Sequence, residues 1–298
     1  MTTPMTKAEK SAGLQLGAGD RVGIIAGSGR LPANVAESLV QAGHKPFVIR
    51  VAGEVDSGLA GYDGDTLAIE QFGSLLPLLK RQRITHVVLA GGISRRPLLR
   101  AIRPTFHLLR LLPRVAAALA RGDDGLLRIL VDTIEDNGIK VVGAHEIVPE
   151  LLAIEGRMGA HAPRKEDWAD LDAGLEAARA IGALDVGQAA VAIGGRAIAL
   201  EGIEGTDLLL ERVRELRDNG RIAGRKRGVL VKCAKPNQEL RADLPTIGPA
   251  TIDAAHAAGL VGIGVEAGRS LVMDYGEMVA RADRLGLFVV GLGEGTRR

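Results

Sequence analysis

The chain has 298 residues, of which 46% are hydrophobic and 25% are charged, and its formal net charge is +2. These values are typical of a globular protein of about two domains, and they exclude a strongly basic nucleic-acid binder. Aromatic residues make up only 2% of the chain, which argues against a surface that stacks single-stranded bases. The single cysteine, Cys233, excludes an internal disulfide and predicts a reducing, cytoplasmic environment.

The first half of the chain alternates between strand and helix patterns. Residues 1–20 are polar and lack an apolar run, so we expect a disordered extension. Strands are then predicted at 21–26, 46–51, 85–90 and 139–142, and helices at 31–42, 74–83, 98–121 and 123–137. This alternation predicts an α/β fold with a Rossmann-like, doubly wound parallel sheet over residues 21–150.

The second half predicts a separate, mixed α/β domain over residues 164–298. Periodicity is lost at 151–163, where two glycines and a proline predict a linker. The elements predicted after it are a helix at 165–181, a hairpin of strands 189–193 and 197–201, a helix after Gly205, a strand at 228–231, a helix from Pro249, apolar runs at 260–265 and 271–273, a helix ending at Leu285 and a strand at 287–290. No uninterrupted apolar run reaches the roughly 18 residues of a membrane span.

Two glycine-containing loops follow predicted strands and share the carboxyl edge expected of a parallel sheet. Ligands bind at that edge in open α/β sheets. The candidate phosphate or nucleotide contacts are Gly27, Ser28, Gly29 and Leu31 in the first loop and Gly92, Ser94 and Arg95 in the second. The first loop begins a Gly-x-Gly dinucleotide fingerprint, but Pro32 stands where the third glycine is expected, which argues against an NAD site. The alternative is that both loops are tight turns that need glycine for backbone reasons.

The polar loop at 232–251 is the segment that predicts function most directly. Its substrate-binding candidates are Lys232, Lys235, Gln238, Thr246 and Ile247. A helix follows, with Gly248 as N-cap and Pro249 at its first position, and such a helix start favours an anion. Asp243 would repel that anion unless a cation or a proton lay between them. We therefore predict that Asp243 is a general base or a metal ligand.

Other acids are candidates to act with Asp243. Asp123 and Asp124 open a predicted helix, and Glu201 and Asp207 flank a short loop that also contains Thr206. Carboxylate oxygens and substrate phosphates are the ligands that Mg²⁺ prefers, so we predict Mg²⁺ as a cofactor. The catalytic and metal-binding candidates are Asp243, Asp123, Asp124 and Asp207, with Glu201 as a further metal ligand. The alternative is that Thr206 and the acids in first helical turns only cap helices.

Residues 71–122 contain no aspartate or glutamate but ten lysines and arginines. Uncompensated positive charge of this kind attracts phosphates or an anionic membrane surface. We therefore predict a protein that contacts a membrane peripherally. A solvated basic helix face is the alternative interpretation.

Taken in order, these segments resemble a known two-domain bacterial family, the UDP-2,3-diacylglucosamine pyrophosphatases of lipid A biosynthesis. The matching segments are Ile25–Pro32, Gly92–Arg95, Gly122–Leu127, Gly143–Glu146, Asp185–Gln188, Glu201 with Glu204–Asp207, Lys235–Gln238, Asp243–Gly248, Gly264–Arg269 and Leu285–Phe288. Only the first twenty residues fall outside the resemblance. One departure is Ser28, because a glycine is familiar at this position in the family.

The resemblance implies Mg²⁺-dependent hydrolysis of an acylated UDP-sugar to UMP and 2,3-diacylglucosamine 1-phosphate. It further implies two α/β domains that hold the lipid product between them, Asp243 as the family's essential aspartate, and Gln188 and Thr206 as further substrate contacts. The expected location is the cytoplasm, peripherally at the inner membrane. No nucleic-acid partner is expected, and a homodimer is left open.

Two alternatives from other functional classes stay open at this point. The first is an NADP-dependent oxidoreductase or UDP-sugar epimerase. Tyr62 and Tyr275 both lack a lysine four residues later, which argues against its short-chain version. The second is a nucleotide-sugar or lipid-binding module without catalysis.

Overall fold

The computed structural model describes residues 14–55, 57–93, 123–222, 227–236 and 238–293. The chain divides into two compact units. Unit 1 comprises residues 1–150 together with 239–243, and unit 2 comprises residues 151–238 and 244–298. The chain therefore leaves unit 2 after Gln238, contributes five residues to unit 1, and returns to unit 2 at Leu244.

Strands and helices alternate through most of the described chain. The strands are β1 Val22–Ala26, β2 Phe47–Val51, β3 Gly64–Leu67, β4 His86–Ala90, β5 Lys140–Val142, β6 Gly156–Arg157, β7 Ala189–Ala192, β8 Ala197–Leu200, β9 Val229–Lys232, β10 Thr246–Ile247, β11 Gly262–Glu266, β12 Leu271–Val272 and β13 Phe288–Leu292. The α-helices are α1 Leu31–Gln41, α2 Leu75–Arg81, α3 Asp123–Glu135, α4 Ala144–Ile147, α5 Lys165–Ala183, α6 Gly205–Asp218, α7 Pro249–Ala257 and α8 Tyr275–Leu285. Short 3₁₀ turns lie at Ser57–Leu59, Ile69–Ser74 and Pro149–Leu151.

Unit 1 contains a five-stranded parallel sheet with the strand order β3-β2-β1-β4-β5. The order reverses between β1 and β4, which defines the topological switch point of a Rossmann-like sheet. The α/β prediction and the parallel N-terminal sheet are therefore confirmed. The sequence pattern missed β3, because this four-residue edge strand is only partly buried and has no apolar run.

The central strands of unit 1 are buried because helices and loops cover the sheet. Ile24 and Val88 have no exposed surface, and the side chains of Leu79, Val131 and Ile134 form part of the apolar cluster on one face. Strands covered in this way appear in the sequence as continuous aliphatic runs, which explains why β1, β2 and β4 were predictable.

Unit 2 contains a six-stranded mixed sheet with the strand order β6-β13-β11-β9-β7-β8. Strands β13, β11 and β9 are parallel, whereas β7 runs antiparallel to both β9 and β8. The predicted hairpin is therefore present, and β8 lies at the edge of the sheet. A separate parallel pair, β10 with β12, follows the polar loop.

Helices cover both faces of the unit 2 sheet. Leu171 and Ala178 of α5 pack against Val231 on one face. Leu209 of α6 and Ile252 of α7 belong to the larger cluster. The segment 151–163, predicted as a linker, contributes β6 to this sheet through an antiparallel pairing with β13.

The loops after β1 and β4 are joined at the switch point of unit 1. The Ser28 N–H donates to the Gly92 carbonyl at 2.7 Å, and the Gly92 N–H donates to the Ser28 carbonyl at 3.1 Å. A Cβ added at Gly27 would lie 2.2 Å from the Gly92 oxygen, and one added at Gly91 would lie 2.4 Å from the Ser28 oxygen. These two glycines are therefore required by the approach of two backbones.

No described helix is long and apolar enough to cross a membrane. The predicted helix at 98–121 lies outside the described residues.

Substitution of Gly27 by alanine is expected to lower the free energy of unfolding of unit 1 by about 1–3 kcal/mol, since the new methyl group must displace the Gly92 carbonyl. Urea unfolding followed by circular dichroism measures this change. Gly61→Ala is the matched control, because no atom lies within 4 Å of its added Cβ. Equal unfolding midpoints for the two variants would contradict the predicted requirement.

Candidate active site

The glycine loop residues lie together at the carboxyl edge of the unit 1 sheet. Gly27, Ser28 and Gly29 follow β1, Leu31 begins α1, and Gly92 follows β4. The Ser28 hydroxyl donates to the Gly92 carbonyl at 3.0 Å, in addition to the two backbone bonds of this bridge. The N–H groups of Ser28 and Gly92 thus each donate to the carbonyl of the other residue. A phosphate bound here would need other donors.

Several predicted residues cannot be placed within the described part of the chain. Ser94, Arg95 and most of the acid-free basic stretch fall in 94–122, which is outside it. Asp123 and Asp124 form the first turn of α3, but their side chains are not among those described. Their roles as metal ligands stay predictions.

The lysines of the polar loop form internal contacts within unit 2. Lys232 is buried at the end of β9, and its ammonium group donates to the Thr246 carbonyl at 2.9 Å. Lys235 forms an ion pair with Asp185 at 2.5 Å. The Lys235 N–H also donates to Oε1 of Gln238 at 3.0 Å, while the Gln238 N–H donates back to the Lys235 carbonyl. These contacts hold the start of the loop in a defined conformation.

The structure brings Glu201, Thr206 and Gln188 together. Glu201 follows β8 and is only 5% exposed. Its Oε2 accepts the Gln188 N–H at 2.7 Å, and its Oε1 accepts the Thr206 hydroxyl at 2.7 Å. Burial of a carboxylate is costly unless hydrogen bonds compensate it, and these two bonds supply that compensation. Asp207 lies in the first turn of α6 and is exposed.

The end of the polar loop leads into a helix start, as the sequence predicts. Thr246 and Ile247 form β10, which pairs with β12. Gly248 is the N-cap of α7 and Pro249 is its first residue. Because Lys232 contacts the Thr246 carbonyl two residues before this cap, a positive side chain and the positive end of a helix dipole are close within unit 2.

Asp243 belongs to unit 1, unlike the lysines that precede it in the loop. It is exposed, and its N–H donates to the Glu239 carbonyl at 3.1 Å. Ala242 packs against the apolar cluster of unit 1. The candidate residues of the polar loop are therefore divided between the two compact units.

Arg241 anchors this segment, and the sequence analysis did not select it as a site residue. Its guanidinium binds both oxygens of Glu239, at 2.8 and 3.0 Å, and Oε1 of Glu135 at 2.7 Å. The hydrogen bonds from Arg241 lower the pKa of Glu239. Glu135 lies 106 residues away in the sequence, so no local spacing could have indicated the pair.

Cys233 is a buried thiol in unit 2. It is 1% exposed, and burial raises its pKa to about 11, with a smaller contribution from the negative charge of Glu266. A thiol with so high a pKa is protonated at neutral pH and is a poor nucleophile.

The described side chains do not assemble a magnesium site on their own. No group of three or more His, Cys, Asp or Glu side chains able to hold a metal occurs among the described residues. Each oxygen of Glu201 accepts one hydrogen bond, and the predicted role of Glu201 as a metal ligand stays a prediction.

Comparison with known proteins identifies the family. The model of the LpxI N-terminal domain matches residues 21–151, and that of the LpxI C-terminal domain matches residues 154–290. A relative from Caulobacter vibrioides, named UDP-2,3-diacylglucosamine pyrophosphatase LpxI, is 44% identical over 274 residues, which cover 91% of this chain and 97% of the relative.

Two solved structures show weak similarity to the chain. A glycinamide-RNase-transformylase T from Mycobacterium tuberculosis aligns with 61% of this chain and 43% of its own, at 12% identity and a TM-score of 0.24. The biotin carboxylase domain of a thermophilic 2-oxoglutarate carboxylase aligns with 69% of this chain and 42% of its own, at 12% identity and a TM-score of 0.25. Neither similarity supports a conclusion about this protein.

The fold and the loops at its sheet edges define a two-unit α/β protein with a Rossmann-like N-terminal sheet. The sequence comparisons assign it further: the chain belongs to the LpxI family.

Replacement of Glu201 by glutamine is expected to lower the free energy of unfolding by about 1–3 kcal/mol, because a neutral amide oxygen accepts a weaker hydrogen bond from the Gln188 N–H than the carboxylate does, and the Thr206 hydroxyl loses its acceptor where NH₂ replaces Oε1. Thr206→Ser, which keeps the hydroxyl, serves as the control. Denaturant titration compares the two. Unchanged stability of Glu201→Gln would contradict the structural role inferred from the hydrogen bonds.

Cys233 is expected to react with a thiol reagent such as DTNB at least about 100-fold more slowly in the native protein at pH 8 than in the protein unfolded by guanidinium, since its pKa of about 11 leaves little thiolate. Absorbance of the released thiolate follows the reaction, and the single cysteine makes the stoichiometry one per chain. Rapid, complete modification before unfolding would contradict the buried position.

Proposed function

We propose that this protein hydrolyses the diphosphate of UDP-2,3-diacylglucosamine to UMP and 2,3-diacylglucosamine 1-phosphate, as a step of lipid A biosynthesis. The observation that carries the proposal is the match of both halves of the chain to the LpxI family, together with 44% identity to a relative named for this activity. The substrate is an acylated UDP-sugar, and the product that retains the acyl chains is a lipid.

The reaction adds one water molecule across the phosphoric anhydride. A new bond forms between the water oxygen and one phosphorus, and the bond from that phosphorus to the bridging oxygen breaks. The bridging oxygen leaves with the other phosphate, and the water loses a proton. A carboxylate that orients the water and accepts this proton is the contribution expected of a general base.

Asp243 is the residue proposed for this role. Its carboxylate is exposed, and its backbone amide is held by the Glu239 carbonyl, so the side chain is presented from a fixed turn. Three further acids are proposed to assist it: Asp207, which is also exposed, Asp123 and Asp124. Glu201 holds Gln188 and Thr206 through its two hydrogen bonds, and it stays a further candidate ligand for the metal.

The negative charge of the diphosphate requires positive partners, and unit 2 supplies candidates. The Lys232 ammonium group donates to the Thr246 carbonyl, so its positive charge lies close to the start of α7. Ammonium groups and helix dipoles aimed at the phosphates stabilise the charge that develops as the anhydride breaks. Lys235, Gln238, Thr246 and Ile247 are proposed to contact the substrate from the same loop.

Magnesium dependence is a further part of the proposal. Its support is chemical: Mg²⁺ binds carboxylates and diphosphate oxygens, and when bound it would neutralise part of the phosphate charge. The residues proposed to hold it are Asp243, Asp207, Asp123 and Asp124.

Peripheral contact with the anionic face of the inner membrane from the cytoplasm is also proposed. The acid-free, basic and leucine-rich sequence between residues 71 and 122 supports it, because such a segment is attracted to anionic lipids that surround an acylated substrate. Homodimer formation has no support among the described residues and is not proposed.

Purified protein with UDP-2,3-diacylglucosamine is expected to release UMP in the presence of Mg²⁺, and EDTA is expected to abolish the release. Asp243→Asn should lower kcat by about 10²–10⁴-fold through loss of the proton acceptor. UMP is quantified by chromatography.

Asp63→Asn is the matched control for this experiment, because Asp63 is an exposed carboxylate of unit 1. Its UMP release should equal that of the unsubstituted protein. No UMP from the unsubstituted protein would overturn the proposed activity. An unchanged kcat in Asp243→Asn would overturn only the role of Asp243.

A further inference from the structure

The segment 239–243 has a defined conformation within unit 1. The Ala242 and Asp243 amides both donate to the Glu239 carbonyl, at 2.9 and 3.1 Å, which closes a tight turn. The Arg241 N–H donates to Oε1 of Glu239 at 3.3 Å. Ala242 packs against the apolar cluster of unit 1, and polar contacts also connect this turn to the rest of the unit.

Arg241 provides the strongest of these connections. It forms a bidentate pair with Glu239 inside the turn and a single bond to Glu135 at the end of α3. Glu135 Oε1 also accepts the Val141 N–H at 3.4 Å, so the carboxylate is itself connected to β5. We call Arg241, Glu239 and Glu135 the Arg241 ion-pair network.

The geometry of the network indicates what arginine contributes. A guanidinium is planar and presents several N–H donors in fixed directions, so it can bind two carboxylates at once, whereas a lysine ammonium is a single point of charge. The side chains of Arg241, Glu239 and Glu135 are 34%, 17% and 36% exposed. Partial burial and bidentate geometry make such a network stronger than an isolated surface ion pair.

We propose that Arg241 is a positioning residue, which fixes the turn carrying Asp243 to α3 and β5 of unit 1 through Glu239 and Glu135. This inference rests on the proposed function for the role of Asp243, and extends it to a side chain that acts through the turn rather than on the substrate. Misplacement of a reacting group by about 1 Å can lower a rate by about 10²-fold. If the turn is released, kcat should therefore fall strongly, whereas KM should change little.

Three substitutions test the proposal in the full-length protein. Arg241→Met keeps the aliphatic stem but removes all donors, Arg241→Lys keeps the charge but loses the fork, and Glu135→Gln weakens the external connection. Arg21→Met is the matched control, because Arg21 is a similarly exposed arginine of unit 1 that pairs with Asp63 next to the amino end of β1. Thermal unfolding of each variant identifies any general loss of stability.

The expected result for Arg241→Met is a kcat for UMP release that is about 10–100-fold lower, with KM changed by less than about threefold. The kcat values of Arg241→Lys and Glu135→Gln should lie between those of Arg241→Met and the unsubstituted protein. The kcat of Arg21→Met should equal that of the unsubstituted protein. An unchanged kcat in Arg241→Met would overturn the proposal. A raised KM at unchanged kcat would also overturn it, because it would indicate contact with the substrate.

Hydrogen–deuterium exchange provides a readout that does not depend on turnover. The peptide containing Ala242 and Asp243 should exchange about tenfold or more faster in Arg241→Met than in Arg21→Met, since both amides lose their fixed acceptor when the turn opens. Equal exchange would overturn the positioning role even if kcat changed. If the unsubstituted protein releases no UMP, the proposed function fails, and the exchange measurement alone then decides whether Arg241 holds the turn.

Discussion

The contact between the Arg241 guanidinium and the Glu135 carboxylate joins the turn that contains Asp243 to α3 of unit 1. The polar loop begins in unit 2, yet the turn with Asp243 is part of unit 1. The turn is short, and the small side chain of Ala242, which packs against the apolar cluster of unit 1, gives little hydrophobic stabilisation. The ion pairs of Arg241 add to this stabilisation. They also fix the direction of the contact, because one guanidinium binds two carboxylates through several hydrogen bonds.

The lysines of the same loop illustrate a different constraint. Cations that lose part of their contact with water need partners. The buried Lys232 contacts a carbonyl, and the partly buried Lys235 contacts a carboxylate, both in their own unit. Each partner limits the conformations of the loop before any substrate arrives. These side chains therefore lose conformational entropy when the protein folds and not when a ligand binds. A phosphate that binds nearby would meet charges that are already ordered.

Much of the architecture was predictable because its physical causes are local. Aliphatic runs followed by glycine identified β1, β2 and β4, and the Gly-Pro pair identified the start of α7. The edge strand β3 was missed, since half-exposed strands carry no such run. For the candidate site, the sequence indicated the types of residue. The contact between residues 239–243 and the rest of unit 1 could not be predicted, because Glu135 lies more than one hundred positions from Arg241 and local spacing gives no sign of the pair.

The bridge at the switch point of unit 1 is formed by main-chain atoms, and the Ser28 hydroxyl only adds a second donor to a carbonyl that already accepts the Ser28 amide. Residue 28 can consequently be exchanged for a smaller one without separating the two loops, while its neighbour Gly27 has no such freedom. The side chain at position 28 can therefore vary without moving the backbone, whereas any side chain at position 27 would push the two loops apart. Two adjacent positions of one loop thus differ sharply in the substitutions that the fold tolerates.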